Sequence, residues 1–193
     1  MKRSGLVFLL SGGMDSMVAV DLLRADSRLL LLPLFVDYGQ PAAPREGGAA
    51  KAFCRLRGLK LARLPIAAYT PLARPPGKRI PTFLPGRNLL LLLVAGLVAR
   101  AKKARFVGIG AIADQAFPDT ADSFFKAFNG IAPMALDHEV SVMSPFVHSS
   151  KAAVVDIGRR LGTPLNLSYS CYIGRLRPCG RCAGCQLRAK VMS

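Results

Sequence analysis

Ser11-Gly12-Gly13-Met14-Asp15-Ser16 is the stretch on which the reading of the whole chain turns. An apolar run, Leu6–Leu10, precedes it and has the length and composition of a buried strand. Met14, Met17, Val18 and Leu22 follow at i, i+3, i+4 and i+8, which is one face of a helix. The chain therefore passes from strand to helix through two glycines flanked by serines. The first N–H groups of a helix have no partner inside it. The helix dipole adds partial positive charge there, and glycine lets an anion approach the backbone. Ser11, Gly12, Gly13, Met14, Asp15 and Ser16 are thus expected to form a phosphate cradle. It has neither the lysine of a Walker loop nor a G-x-G-x-x-G pattern. The competing reading is an ordinary strand–helix turn capped by Ser11 or Asp15.

Strand and helix signals alternate along the rest of the chain. Leu29–Val36 is a second, nearly all-apolar strand, and such runs suit a parallel sheet covered on both faces. Asp37-Tyr38-Gly39-Gln40 follows at its carboxyl end, where open α/β sheets bind ligands. Asp37 and Gln40 are expected to face the crevice of the cradle; the alternative for Asp37 is a turn residue before Gly39. Pro41 to Gly48 reads as loop or helix entry, Ala49–Arg57 as a helix stopped by Gly58, and Leu59–Leu64 as a third strand. Ala68–Pro85 is proline-rich and basic and cannot be regular throughout.

Pro85-Gly86-Arg87-Asn88 opens an apolar helix, Leu89–Arg100, expected to be fully buried. A cation at a helix N-terminus is disfavoured unless an anion shares the site. Arg87 is therefore a candidate phosphate or carboxylate contact; otherwise it points to solvent. Arg105–Ile109 reads as a strand, and Asp114 and Asp119 beyond its end are candidates to line the crevice. Asp122–Phe128 reads as helix and Val140–Val142 as the last strand. Lys151 opens a helix with apolar face Val154, Ile157 and Leu161, stopped by Gly162. The pattern predicts βαβ units and a parallel sheet with helices on both faces.

The 193 residues, 51% hydrophobic, can bury one good core with a small appendage. With 27 basic and 11 acidic side chains the net charge is +16, which suits anionic partners such as nucleotides or nucleic acid. Part of the excess can equally be solvated surface, since no block of five like charges occurs. The apolar run after Met1-Lys2-Arg3 is cut short by Ser11-Gly12-Gly13, unlike a secretory signal. Leu89–Ala99 is too short to span a bilayer, which takes roughly 20 residues. A cytoplasmic protein with no membrane partner is expected.

Four of the five cysteines, Cys171, Cys179, Cys182 and Cys185, are spaced C-x7-C-x2-C-x2-C. Paired C-x2-C knuckles offer two sulfurs each, and four thiolates close a tetrahedral zinc site with no open position. A structural zinc is expected; an iron–sulfur cluster uses similar ligands. Cys54 lies in an apolar helix and reads as a small buried side chain.

The S-G-G-x-D-S loop resembles the pyrophosphate loop of adenylating ATP pyrophosphatases. Together with Asp37–Gln40, Pro85–Asn88, Phe117-Pro118-Asp119 and the cysteine segment through Gln186-Leu187-Arg188, it resembles the 7-cyano-7-deazaguanine synthase family of queuosine biosynthesis. The resemblance implies an adenine nucleotide α-hydrolase-like fold, with residues 1–168 as the ATPase domain and 169–193 as a zinc-binding segment packed on it. It implies ATP-dependent adenylation of 7-carboxy-7-deazaguanine, amidation with ammonia and dehydration to the nitrile, in a homodimer. Asp15, Arg87 and Lys151 are its implied catalytic residues. ATP is assigned to Ser11–Ser16, Asp37, Gln40, Gly86 and Arg87, and the deazaguanine to Asn88, Asp114, Phe117 and Asp119. Mg²⁺ is held mainly by phosphate oxygens with help from Asp15.

The chain departs from the family at several places, including a shorter proline-rich segment, a shorter link from Asn129 to Val140 and first and second cysteines one residue closer together. Pro41-Ala42 stands where the family has Arg-His after D-Y-G-Q. Gln115–Ala121 lacks the Cys and Arg of the family's S-G-Y-P-D-C-R. A second reading follows, in which the same loop adenylates another acceptor, a tRNA base or a protein or peptide end. Thiolation of tRNA usually needs a persulfide-carrying cysteine, and Cys54 is poorly suited. A third reading, a non-enzymatic zinc-knuckle nucleic-acid binder, leaves the cradle unexplained and lacks aromatics interleaved with the basic residues.

Overall fold

The computed structural model describes residues 3–66, 83–114 and 117–192. Most of the proline-rich Ala68–Pro85 stretch, and Gln115-Ala116, lie outside these residues. Strands β1 (Ser4–Leu9), β2 (Leu29–Asp37), β3 (Ala62–Pro65), β4 (Phe106–Gly108) and β5 (Ser141–Met143) form one sheet in the order β3-β2-β1-β4-β5. Every pairing is parallel, with Val7 opposite both Leu32 and Val107. Six helices accompany the strands among the described residues: α1 (Met14–Arg24), α2 (Ala43–Leu56), α3 (Arg87–Lys102), α4 (Asp122–Leu136), α5 (Lys151–Arg160) and α6 (Ala183–Met192).

Side chains alternate across a strand with a period of two, and the central strands divide their apolar residues accordingly. Leu6, Phe8 and Phe35 pack on one face with Met17 and Val18 of α1, Phe53 of α2 and Val154 of α5. Val7, Leu9, Leu34 and Val36 pack on the other with Leu92 and Ala95 of α3 and Phe125 and Phe128 of α4. Phe8, Phe35 and Phe53 are fully buried, and emptying one to alanine costs about 3–5 kcal/mol. The strand order reverses between β1 and β4, so their carboxyl ends diverge there and open a crevice.

Several elements differ from the sequence reading. Helix α2 begins at Ala43, not Ala49. Pro44 and two glycines suggest a loop, yet proline suits a first turn. Gly47 is needed where the helix meets the sheet, since a Cβ there would lie 3.1 Å from the Phe35 ring. Helix α3 is not fully buried: Leu89, Leu93 and Leu97 are 47%, 38% and 52% exposed along one stripe. An unbroken leucine run carries no period to say which face turns outward. Helix α4 continues eight residues past Phe128 despite Gly130 and Pro133, burying Phe125, Phe128, Ala132 and Leu136, and stops at Asp137 with φ +46°. Helix α5 buries Val154, Val155 and Gly158, while Leu161, just past its end, is 38% exposed. Helix α6 was not predicted. No helix among the described residues is long and apolar enough to cross a membrane.

Candidate active site

The predicted cradle is a real turn between β1 and α1. Gly12 has φ +79°, and a Cβ on it would lie 2.2 Å from the Glu46 carbonyl oxygen of α2. Only glycine fits this conformation in this space. The two hydroxyls of the loop are engaged with each other. Ser16 Oγ donates to the Gly13 carbonyl at 3.0 Å, Ser11 and Ser16 Oγ are 3.0 Å apart, and Gly13 N–H donates to Ser11 Oγ at 3.3 Å. The N-cap of α1 is Gly13, which brings no side-chain cap. The capped-turn alternative is therefore not what forms. The N–H groups of Met14, Asp15 and Ser16 have no acceptor among the described residues and open on the crevice. This is the arrangement that receives an anion.

A cavity at the strand carboxyl ends collects most of the predicted residues. Ser11, Gly13, Met14, Asp15, Ser16, Gln40, Arg87, Asn88 and Lys151 all line it. Lys151, the first residue of α5, is held by both of its nitrogens. Its Nζ donates to Asp15 Oδ1 at 2.6 Å, and its backbone N–H donates to Asp114 Oδ2 at 2.6 Å. The Lys151 and Asp15 side chains are 7% and 18% exposed, so this pair is screened little by solvent. Asp15 is thereby already neutralised by an amine. Arg87 reaches the same cavity from the start of α3, where its Nε donates to Asn88 Oδ1 at 3.3 Å.

Other predicted residues support this site from behind. Gly86, with φ +74°, is the N-cap of α3. Asp37 accepts from the Gly39 N–H at 3.0 Å, the turn role of the alternative reading, and does not line the cavity. Asp119 is buried and holds Asn88, accepting from its N–H with Oδ2 (3.3 Å) and from its side-chain amide with the backbone carbonyl (3.1 Å). Asp119 Oδ1 has no hydrogen-bond partner among the described residues. Phe117 stacks on Phe83 at 5.1 Å and lines a second cleft with Asp122 and His148. The two clefts meet at Thr120, which lines both.

Several lining residues were not predicted. Glu46 of α2 faces the cavity and accepts from Gln40 Nε2 at 2.9 Å. Burial pushes its carboxyl up to about 7, against the Gln40 amide and the Arg87 charge, which favour the ionised form. Tyr169, Ser170, Tyr172, Gly184, Leu187 and Arg188 supply a wall from the C-terminal segment. That wall is tied to the cradle, because Tyr169 N–H donates to the Gly12 carbonyl at 2.9 Å. Arg188 bonds the carbonyls of Ser168 and Leu165 at 3.1 and 3.2 Å. Gly174, at φ +78°, passes so close to Pro41 that a Cβ would lie 2.1 Å from the Pro41 oxygen. The cue missed in the sequence was Gln40 followed six residues later by a lone acid, hidden by starting α2 too late.

The four predicted cysteines converge. Their sulfurs all lie within 4.8 Å of one another, and Cys179 Sγ and Cys185 Sγ are 3.9 Å apart. A tetrahedron with metal–sulfur bonds of about 2.3 Å has edges of about 3.8 Å. The Cys179 and Cys182 N–H groups approach the sulfurs of Cys171 and Cys179, both at 3.4 Å. Backbone N–H groups of Arg181 and Cys182 pull the Cys179 thiol down to about 6, whereas burial pushes Cys185 up to about 12. The set fits one metal ion. A cubane cluster, with a separate iron beneath each thiolate, spreads its sulfurs further. Cys54 is apart from all this, buried in α2, its thiol pushed up to about 11 by burial.

The geometry agrees with what the chain is similar to. A family model described as queuosine biosynthesis protein QueC matches residues 67–193. The 7-cyano-7-deazaguanine synthase of Anaeromyxobacter dehalogenans is 34% identical, over 95% of this chain and 89% of its own length. That of Methanoculleus marisnigri is 31% identical, over 96% and 92%. Among solved structures, the U34-tRNA thiolase NcsA from Methanococcus maripaludis, described with its [4Fe-4S] cluster, has a TM-score of 0.61 at 18% identity. The match covers 99% of this chain and 65% of the thiolase chain. NMN synthetase from Francisella tularensis has a TM-score of 0.53 at 18% identity, covering 89% of this chain and 68% of its own. At these identities the two structures share the fold alone. With relatives above 30% identity spanning almost its full length, the chain belongs to the queuosine biosynthesis protein QueC family of ATP-dependent enzymes.

Proposed function

We propose that the protein adenylates the carboxylate of 7-carboxy-7-deazaguanine, converts the acyl adenylate to the amide with ammonia, and dehydrates that amide to 7-cyano-7-deazaguanine. The observation that carries this reading is one cavity holding the uncapped start of α1, the Lys151–Asp15 pair and Arg87. Carboxylate adenylation consists largely of aligning the acid with the α-phosphate and stabilising the charge that builds on the departing pyrophosphate. The N–H groups of Met14, Asp15 and Ser16 bind the β and γ phosphates. Lys151 and Arg87 stand where negative charge develops. Asp15 fixes the Lys151 ammonium against the loop. The substrate carboxylate oxygen attacks the α-phosphorus, the α–β bridge breaks, and pyrophosphate leaves toward the helix start. Mg²⁺ would be held mainly by the phosphate oxygens of ATP, since the Asp15 carboxylate is already engaged by Lys151. The cysteine set takes zinc in a structural role, with no open position and no part in a step. Phe117 and Asp119 serve the acceptor, the first in the cleft beyond Thr120 and the second through Asn88.

A second reading, adenylation of a different acceptor, is favoured by one observation. The acceptor cleft has Thr120 and Ala121 where the family has Cys and Arg, and Pro41 carries tail backbone where the family has Arg. Thiolation of tRNA is the least suited variant, because Cys54 is buried and protonated and lies outside the cavity.

The test is incubation with ATP, Mg²⁺, 7-carboxy-7-deazaguanine and ammonium. AMP, pyrophosphate and a nitrile detected by mass spectrometry support the first reading. Formation of AMP without consumption of the deazaguanine supports another acceptor. ATP left intact in every mixture sinks both.

A further inference from the structure

We infer that Glu46 is the proton acceptor that prepares the nitrogen nucleophile, taking a proton from ammonium beside the pyrophosphate loop. The inference rests on the adenylation and amidation reading above and assigns its nitrogen step. Ammonium has no lone pair, so it cannot attack an acyl adenylate until a base removes a proton. Two carboxylates line the cavity among the described residues, Asp15 and Glu46. Asp15 is ion-paired to Lys151 at 2.6 Å, so that carboxylate is already engaged by a fixed cation. No histidine lines the cavity: His138 Nε2 is 2.7 Å from the Ala104 carbonyl, and His148 pairs with Asp122 at 3.0 Å. Tyr169 donates its hydroxyl to the Arg175 carbonyl at 2.7 Å, and a neutral phenol, there or at Tyr172, is no base for ammonium. Glu46 is the base that remains.

Its surroundings suit the task. The Glu46 carbonyl is wedged against Gly12, so the residue moves with the loop that holds the triphosphate. Gln40 positions the carboxylate, donating to Oε2 while its own oxygen is fixed by the Tyr38 N–H at 3.0 Å. The other oxygen, Oε1, has no donor among the described residues and is available to a cation. The charged and titratable groups that face Glu46 are Arg87 of α3, Asp37 at the end of β2 and Tyr172 of the tail. A carboxyl held near neutrality accepts and releases a proton at working pH.

The step balances as follows. Ammonium gives one proton to Glu46 and becomes ammonia. The nitrogen lone pair attacks the acyl carbon, a C–N bond forms, and the bond to the AMP phosphate oxygen breaks with its electron pair leaving on AMP. The second excess proton leaves the new nitrogen for water, and Glu46 then returns its proton to solvent. The products are the amide, AMP and two protons.

Glu46→Gln keeps the size and the hydrogen bonding but cannot take up the proton. Three measurements test it: carboxylate-dependent ATP–pyrophosphate exchange, amide formation from ammonium, and hydroxamate formation from hydroxylamine, which is largely neutral at pH 7. The variant should keep exchange and hydroxamate formation within about threefold of wild type and lose amide formation by about 100-fold or more. In the wild type, amide formation should fall on the acid side of about pH 7, and hydroxamate formation should lack that fall until lower pH. Amide formation at the wild-type rate by the variant overturns the inference. So does equal loss of all three activities, which assigns Glu46 to the shape of the loop. Wild-type protein that shows no exchange with 7-carboxy-7-deazaguanine removes the adenylation reading itself, and the inference with it.

Discussion

Lys151 and Asp15 are 136 residues apart in the chain, yet each makes the other tolerable in a site that water barely reaches. Lys151→Met should leave Asp15 charged and uncompensated, cutting pyrophosphate release by about 100-fold or more, with folding retained by circular dichroism. Asp15→Asn should leave the ammonium unpaired and lower pyrophosphate release by a smaller factor. Unchanged release in both variants would remove the pair from the reaction. Glu46 also makes a prediction about stability. Its folded value, about 7, lies above the unfolded 4.5, so the native state binds the proton more tightly. That contribution is complete below about pH 4.5 and is lost as pH rises through about 7. Glu46→Gln has no such dependence. Urea unfolding should show the variant gaining on wild type between about pH 5 and pH 8, on the order of 2 kcal/mol after allowance for solvent contact.

Between α1, α2 and the turn after α5, one ion pair joins three elements. Arg57, just past α2, donates from Nε and from one Nη of its guanidinium to the two oxygens of buried Asp21 of α1, both at 2.8 Å. The same Nη donates to the Gly162 carbonyl at 2.7 Å. Removing one partner of such a pair strands the other, so Asp21→Ala should cost about 3 kcal/mol in thermal or urea unfolding while ATP binding survives. Arg24 also reaches Asp21 at 3.3 Å from one helical turn on, but nothing in the sequence shows that Asp21 is buried, because its two-pronged partner Arg57 lies 36 residues away. The strands were legible for the opposite reason: Leu6–Leu10 and Leu29–Val36 are buried on both faces, and continuous apolarity is a local signal. The loop from Ser11 to Ser16 was legible because helix-start physics needs only neighbours in sequence. Helix limits were less so. Gly47, Gly130 and Pro133 look like breakers until the packing of Phe35, or the buried Phe125–Leu136 face of α4, is known. Helix α6 is short and nearly without an apolar face, so only its anchoring by Cys185 and Arg188 explains it.

On the scale of the whole molecule, the cysteine segment is a wall of the site as well as an appendage. Withdrawing the metal with a chelator, or Cys182→Ser, should release about one equivalent of ion and loosen residues 171–192, detectable as increased amide exchange there. ATP turnover should fall with it, because Tyr169 of that wall is bonded to Gly12 of the phosphate loop. A metal-free variant with full turnover would separate the wall from the site. The hydrogen bond from Tyr169 to Gly12 carries this architecture further. Loop and tail are thereby one backbone-linked unit, so a disturbance at the cysteine end reaches the nucleotide site through the main chain, with no side chain needed to relay it.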